Sequence, residues 1–159
     1  MGITSHMSER IFDKHIEFCE KYMGEVQDII ISLINDGPTE KGREYYNNLL
    51  SIRIQYSAWI SNDITNSLLP FETAVFQIGS QARLSQSTSK PDVAQKAADK
   101  AEKLWEEILG QLIDENSTDN SIAANSIKNR LRDILGIDKL SKLRNELIDQ
   151  AIRSLEVNT

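Results

Sequence analysis

The sequence predicts an all-α fold: an antiparallel helical bundle of about five to six helices, with a long central helix kinked or broken near Pro70. Three observations lead there. The 159 residues hold only three prolines and seven glycines, so turns are few and elements long. Apolar residues recur three and four positions apart along most of the chain, the period of a helix face. No segment alternates polar and apolar residues as a half-buried strand would. At this length a single domain is expected, over residues 8–159. The stretch Met1–Met7 (MGITSHM) reads as an expression-tag remnant and is set aside with its His6.

The first helix is expected from about Ser8, as its N-cap, to Asn35. Phe12, Ile16, Cys19, Met23, Val26, Ile30 and Leu33 keep a 4-3-4-3 spacing, and Ile11, His15, Phe18, Tyr22 and Ile29 flank them. So broad a face suits a bundle rather than a two-stranded coil. Asp36-Gly37-Pro38 ends the helix. The central helix is expected to start at a Thr39 cap. It carries Tyr45, Tyr46, Leu49, Ile52, Tyr56, Trp59, Ile60, Ile64 and Leu68 at helical spacing. Pro70 removes a backbone donor there, so the helix either kinks or restarts behind Ser67. Phe71, Ala74, Val75, Ile78, Ala82 and Leu84 resume the period at once.

Residues 85–90 (SQSTSK) form the clearest loop, and Pro91 suits a first helical turn. Ala94, Ala98, Ala101, Trp105, Ile108 and Leu112 then mark a seam running to about Glu115. After a polar loop over 116–120, Ser121 caps a shorter helix that presents Ala124, Ile127, Leu131 and Ile134 and stops at Gly136. Asp138 caps the last helix, with Leu140, Leu143, Leu147, Ala151 and Leu155 in its apolar row.

Composition narrows function. Hydrophobic content of 40% and charged content of 26% are those of a soluble globular protein. The net charge of −6 disfavours a general binder of nucleic acid or anionic membrane. Charge is uneven, however: 11 Lys+Arg against 19 Asp+Glu over residues 1–119, net −8, and 7 against 5 over 120–159, net +2. No apolar run approaches the roughly 20 residues of a membrane span, so this segment is not expected to insert. One cysteine excludes a disulfide framework and an all-cysteine zinc site. A cytoplasmic location is the expectation, or an extracytoplasmic one if the segment belongs to a receptor.

Chemistry-bearing groups are sparse. His15 and Cys19 lie four apart on one helix face, a spacing two metal ligands could use, but both fall in the apolar stripe and core packing is the expected role. No nucleophile–base arrangement, phosphate-cradling glycine loop or Glu-x-x-His pair is present in the sequence, and no catalytic residue, metal site or cofactor is assigned. Glu106-Glu107 and Asp114-Glu115 belong to solvated faces.

Arg53 and Arg83, at the margins of their apolar stripes, with Tyr56 nearby, are candidate anion-binding residues, because a planar guanidinium suits carboxylate or phosphate. Their plainer role is an aliphatic stem along the core with the head in water or on a carboxylate. Gly79-Ser80 would allow close approach of a backbone or a ligand. Lys128, Arg130, Arg132, Lys139, Lys142 and Arg144 cluster around the Leu135-Gly136-Ile137-Asp138 turn. This has the look of a helix-turn-helix over residues 121–156, although Lys142 stands where such motifs usually bury a small apolar residue. The leading expectation is a non-enzymatic α-helical module for protein interaction or oligomerisation. The alternatives are a ligand-sensing bundle from a membrane receptor and a small DNA-binding regulator.

Overall fold

The computed structural model describes residues 2–113, 129, 132 and 137–157. Among them the secondary structure is entirely helical, with five helices: α1 (Gly2–Asp36), α2 (Gly42–Gln55), α3 (Asn62–Ser87), α4 (Pro91–Ile113) and α5 (Ile137–Val157). No helix among the described residues is long and apolar enough to cross a membrane.

Cross-helix contacts fix the directions of the first four. Glu25 meets Asn48 and His15 meets Trp59, so the chain returns along α1 after its turn at Gly37. Gly42 lies against Gly79, and Arg53 reaches Glu72, so α2 and α3 are antiparallel. The Trp105 indole N–H donates to the Leu33 carbonyl at 2.7 Å, joining α4 to the end of α1. The core these helices share includes Phe18, Tyr22, Val26, Ile29, Leu49, Leu68, Phe71, Ile78 and Ile108, all at or near zero exposure.

Local chemistry explains the ends. Gly37 has φ +70°, a left-handed position that costs glycine little, and its N–H donates to the Leu33 carbonyl at 3.0 Å. The Ser61 side chain accepts from the Ile64 N–H at 3.3 Å and caps α3, and Asp63 in the first turn complements the helix dipole. Pro91 opens α4, where its missing N–H costs nothing.

Several boundaries differ from expectation. The first helix starts at Gly2, so Ser8 lies inside it; extending a formed helix needs no new nucleus, and the tag-like residues 2–7 simply continue it. The N-cap of α2 is Lys41, not Thr39, whose carbonyl instead accepts the Gly42 N–H at 3.3 Å.

The central segment does not break at Pro70. It breaks at Tyr56–Ser61, and α3 runs through the proline. One lost backbone bond at Pro70 is outweighed because Leu68 and Phe71 on either side are fully buried. The turn at 56–61 is fixed from outside: Tyr56 is buried against Phe18, and the Trp59 carbonyl accepts the His15 Nε2–H at 2.7 Å. On α4 the buried alanines are Ala97 and Ala101, with Ala98 exposed, so the seam is rotated by one position at its start. The helix expected over 121–135 lies outside the described residues apart from 129 and 132, both helical.

Candidate functional site

The most concentrated polar chemistry lies inside the core. Row Leu68–Glu72–Val75–Gly79–Ala82 of α3 faces inward, which carries the Glu72 carboxylate to zero exposure. An isolated buried carboxylate is strongly disfavoured, so it must be paired and hydrogen-bonded. Arg53 Nε from α2 donates to Oε2 at 2.7 Å and to Oε1 at 3.0 Å. The Tyr22 hydroxyl of α1 donates to Oε2 at 2.9 Å. Three helices thus converge on one carboxylate.

Burial alone would lower the Arg53 pKa. The Glu72 hydrogen bond and charge more than offset that, holding the guanidinium above its ordinary value. The arrangement is a charge-compensated cross-tie, and Arg53 plays the plainer of the two roles expected for it.

Two glycines make that geometry possible. A Cβ on Gly42 would lie 2.5 Å from the Val75 carbonyl oxygen and 2.6 Å from the Gly79 nitrogen. A Cβ on Gly79 would collide with the Arg43 backbone nitrogen. The α2 and α3 backbones therefore touch directly, and Gly79 serves helix packing.

The remaining candidates are not brought together. Glu72, and with it Arg53, lies 11 residues from Arg83 along α3, about 16 Å of helix rise, and Arg83 is exposed. Tyr56 is 3% exposed; its hydroxyl makes a long 3.4 Å bond to Glu17 Oε2, and Lys21 Nζ sits 5.4 Å from its ring centroid. His15 commits its Nε2 proton to the Trp59 carbonyl. Burial pushes the Cys19 thiol up to about 11, which makes it a poor nucleophile and a poor metal ligand. Among the described residues no three His, Cys, Asp or Glu side chains are grouped so as to hold a metal ion. Of the basic cluster, Arg132 is exposed on helix, and Lys139, Lys142 and Arg144 fall in the first half of α5; Lys128 and Arg130 lie outside the described residues.

Sequence reasoning missed Glu72 and the second role of Tyr22. The signal was present, since Glu72 is a charged residue in an otherwise apolar or small-residue row, where a buried partner has to exist.

Open concavities lie among the described residues. An open groove of about 530 Å³ follows α3 and α4 past Leu69, Pro70, Gln77 and Leu104. A cleft of about 420 Å³ lies between Met7, Arg10, Ile11 and Trp59, with the Arg10 guanidinium 5.7 Å from the Trp59 ring centroid.

Exposed apolar residues also gather on α5. All residues from Leu147 to Val157 are exposed, including Leu147 at 57%, Ile148 at 46%, Ile152 at 49% and Leu155 at 70%. Single exposed apolar residues are common, but four on two turns of one amphipathic helix form a contiguous patch. Compared with protein-family models, with curated protein sequences and with solved structures, the chain finds no match.

Proposed function

We propose that this protein is a non-enzymatic helical interaction module, in which α1–α4 form the scaffold and α5 offers an apolar face to a protein partner. One observation carries the reading: Leu147, Ile148, Ile152 and Leu155 lie together and exposed on a helix whose remaining positions are mostly charged or polar. An amphipathic helix gains most of its stability from packing its apolar face, so a helix of this pattern is built to be covered. The ligand-sensing alternative has less behind it, because Arg53 is already matched by Glu72.

Thiol reactivity tests the reading. A Leu147→Cys variant in a Cys19→Ala background should be alkylated, at high dilution, at nearly the rate of a free thiol. Protection that persists unchanged on dilution would mean that α5 covers its face on its own chain, and the interaction reading would fail.

A further inference from the structure

The scaffold has a polar groove of its own, independent of the exposed face of α5. The groove along α3 and α4 continues into a neighbouring concavity of about 320 Å³, and the two share Gln77, Leu104 and Glu107. Together they follow α3 from Asn66 to Gln81, about 22 Å of helix. An extended chain of about seven residues covers that length. We propose that this groove binds an extended acidic peptide segment of a protein partner. A carboxylate side chain lies on Lys100 and Lys103, main-chain amides meet Gln77 and Gln81, and an apolar side chain covers Leu69 and Leu104.

Each level of the groove offers a different chemistry. Lys100 and Lys103 are exposed, and neither joins an ion pair among the described residues. Of the two carboxylates one turn from Lys103, Asp99 accepts from the Gln95 amide at 2.9 Å, and Glu107 lines the groove. Two open lysines suit an acid from outside, and Glu107 at the next level repels one, so the acid is accepted at the Lys100 end. Gln77 and Gln81 stand one turn apart on α3, and their side-chain amides have no hydrogen-bond partner among the described residues. Each amide is a donor and an acceptor, and a peptide bond offers the same two groups in reverse. Pro70 has no N–H, so the Asn66 carbonyl lacks the donor that another residue four positions on would supply; both residues line the groove. Leu69 is 37% exposed and Leu104 half-buried, with buried Ala74 between them as a floor for an apolar side chain. So open a groove leaves much of a small molecule in water, whereas an extended chain is held by main-chain contacts along its length.

The experiment selects peptides from a random heptapeptide phage library on the whole chain, then measures their binding by fluorescence anisotropy. Selected peptides should carry Asp or Glu toward one end and an aliphatic residue toward the other, and their affinity should fall with salt. Lys100→Glu combined with Lys103→Glu alters only exposed side chains and should leave the circular dichroism unchanged. It should weaken binding by at least about tenfold, and the same library selected on that double variant should return basic peptides. Gln77→Ala combined with Gln81→Ala should weaken the acidic peptides by about fivefold or more. An empty selection, peptides with no preference for acid, or peptides that bind the lysine double variant as tightly as the wild type would overturn the groove. Peptides lost on Leu147→Lys but retained by the lysine double variant would place binding on α5, overturning the groove and supporting the α5 reading. Acidic peptides that depend on Lys100 and Lys103 uphold the groove whatever the thiol at Leu147→Cys shows.

Discussion

The helices α1–α4 and the helix α5 all carry apolar faces, and they treat those faces differently. Along α1, Phe18, Tyr22, Val26 and Ile29 are fully buried, because α2, α3 and α4 each supply a facing row. Along α5, Leu155 and Ile152 remain 70% and 49% exposed. An apolar period is present in both. Periodicity thus defines a face, and only the available neighbours decide whether that face is buried. The scaffold also contains a polar cross-tie and a backbone-to-backbone contact that fix how its helices meet.

The contrast can be broken most severely at the cross-tie. Arg53→Ala leaves the Glu72 carboxylate buried without its cation and is expected to cost about 3–5 kcal/mol in urea unfolding. The double variant Arg53→Met with Glu72→Leu should recover most of that, since the buried charge is removed together with its partner. Gly42→Ala and Gly79→Ala come next, at about 3 kcal/mol each by thermal or urea unfolding, because the atoms in the way are backbone and cannot swing aside. A neutral outcome for either would mean that α2 and α3 can separate cheaply.

The third effect depends on pH. The Cys19 thiol ionises near 9.0 in an ordinary setting, and burial raises it to about 11 in the folded chain. Below pH 9 both states hold the proton and the stabilisation is complete. Between pH 9 and about 11 the unfolded chain loses its proton first, so stability should fall by about 2–3 kcal/mol, a slope that Cys19→Ala should lack when the two pH profiles are compared. Trp105→Phe removes one hydrogen bond to the Leu33 carbonyl and should cost about 1 kcal/mol, read from the shift of the urea midpoint. The smallest change is expected at the other end of the molecule. Leu147→Ser and Ile152→Ser should move the unfolding of the monomeric scaffold by less than about 0.5 kcal/mol, because both side chains are already about half exposed. A larger loss would show that α5 is part of the core.

Much of this was legible in the sequence. The all-helical class, the stop at Gly37 and the start at Pro91 follow from spacing and from residues with one dominant backbone role. The break at Tyr56–Ser61 was not legible, because its cause is remote: His15 bonds the Trp59 carbonyl across 44 residues, and Tyr56 is held by Phe18. Pro70, for the complementary reason, does not break the helix, since its local preference is real but smaller than the burial around it. Arg53 was rightly singled out as lying at a core margin, but its carboxylate partner came from a helix the sequence does not pair with it. The exposure of 147–157 was the hardest to foresee, because Leu147, Ala151 and Leu155 repeat as regularly as any residues that the scaffold buries.

The two tryptophans mark the middle and the C-terminal end of α1. Trp59 is tied to His15, and Trp105 to Leu33, 18 residues further along, or about 27 Å of helix. Each indole is therefore a separate optical reporter, one on the hairpin between α2 and α3 and one on the closure of α4. Single-tryptophan variants would resolve in which order these two levels of the scaffold come apart, with no label added to the chain.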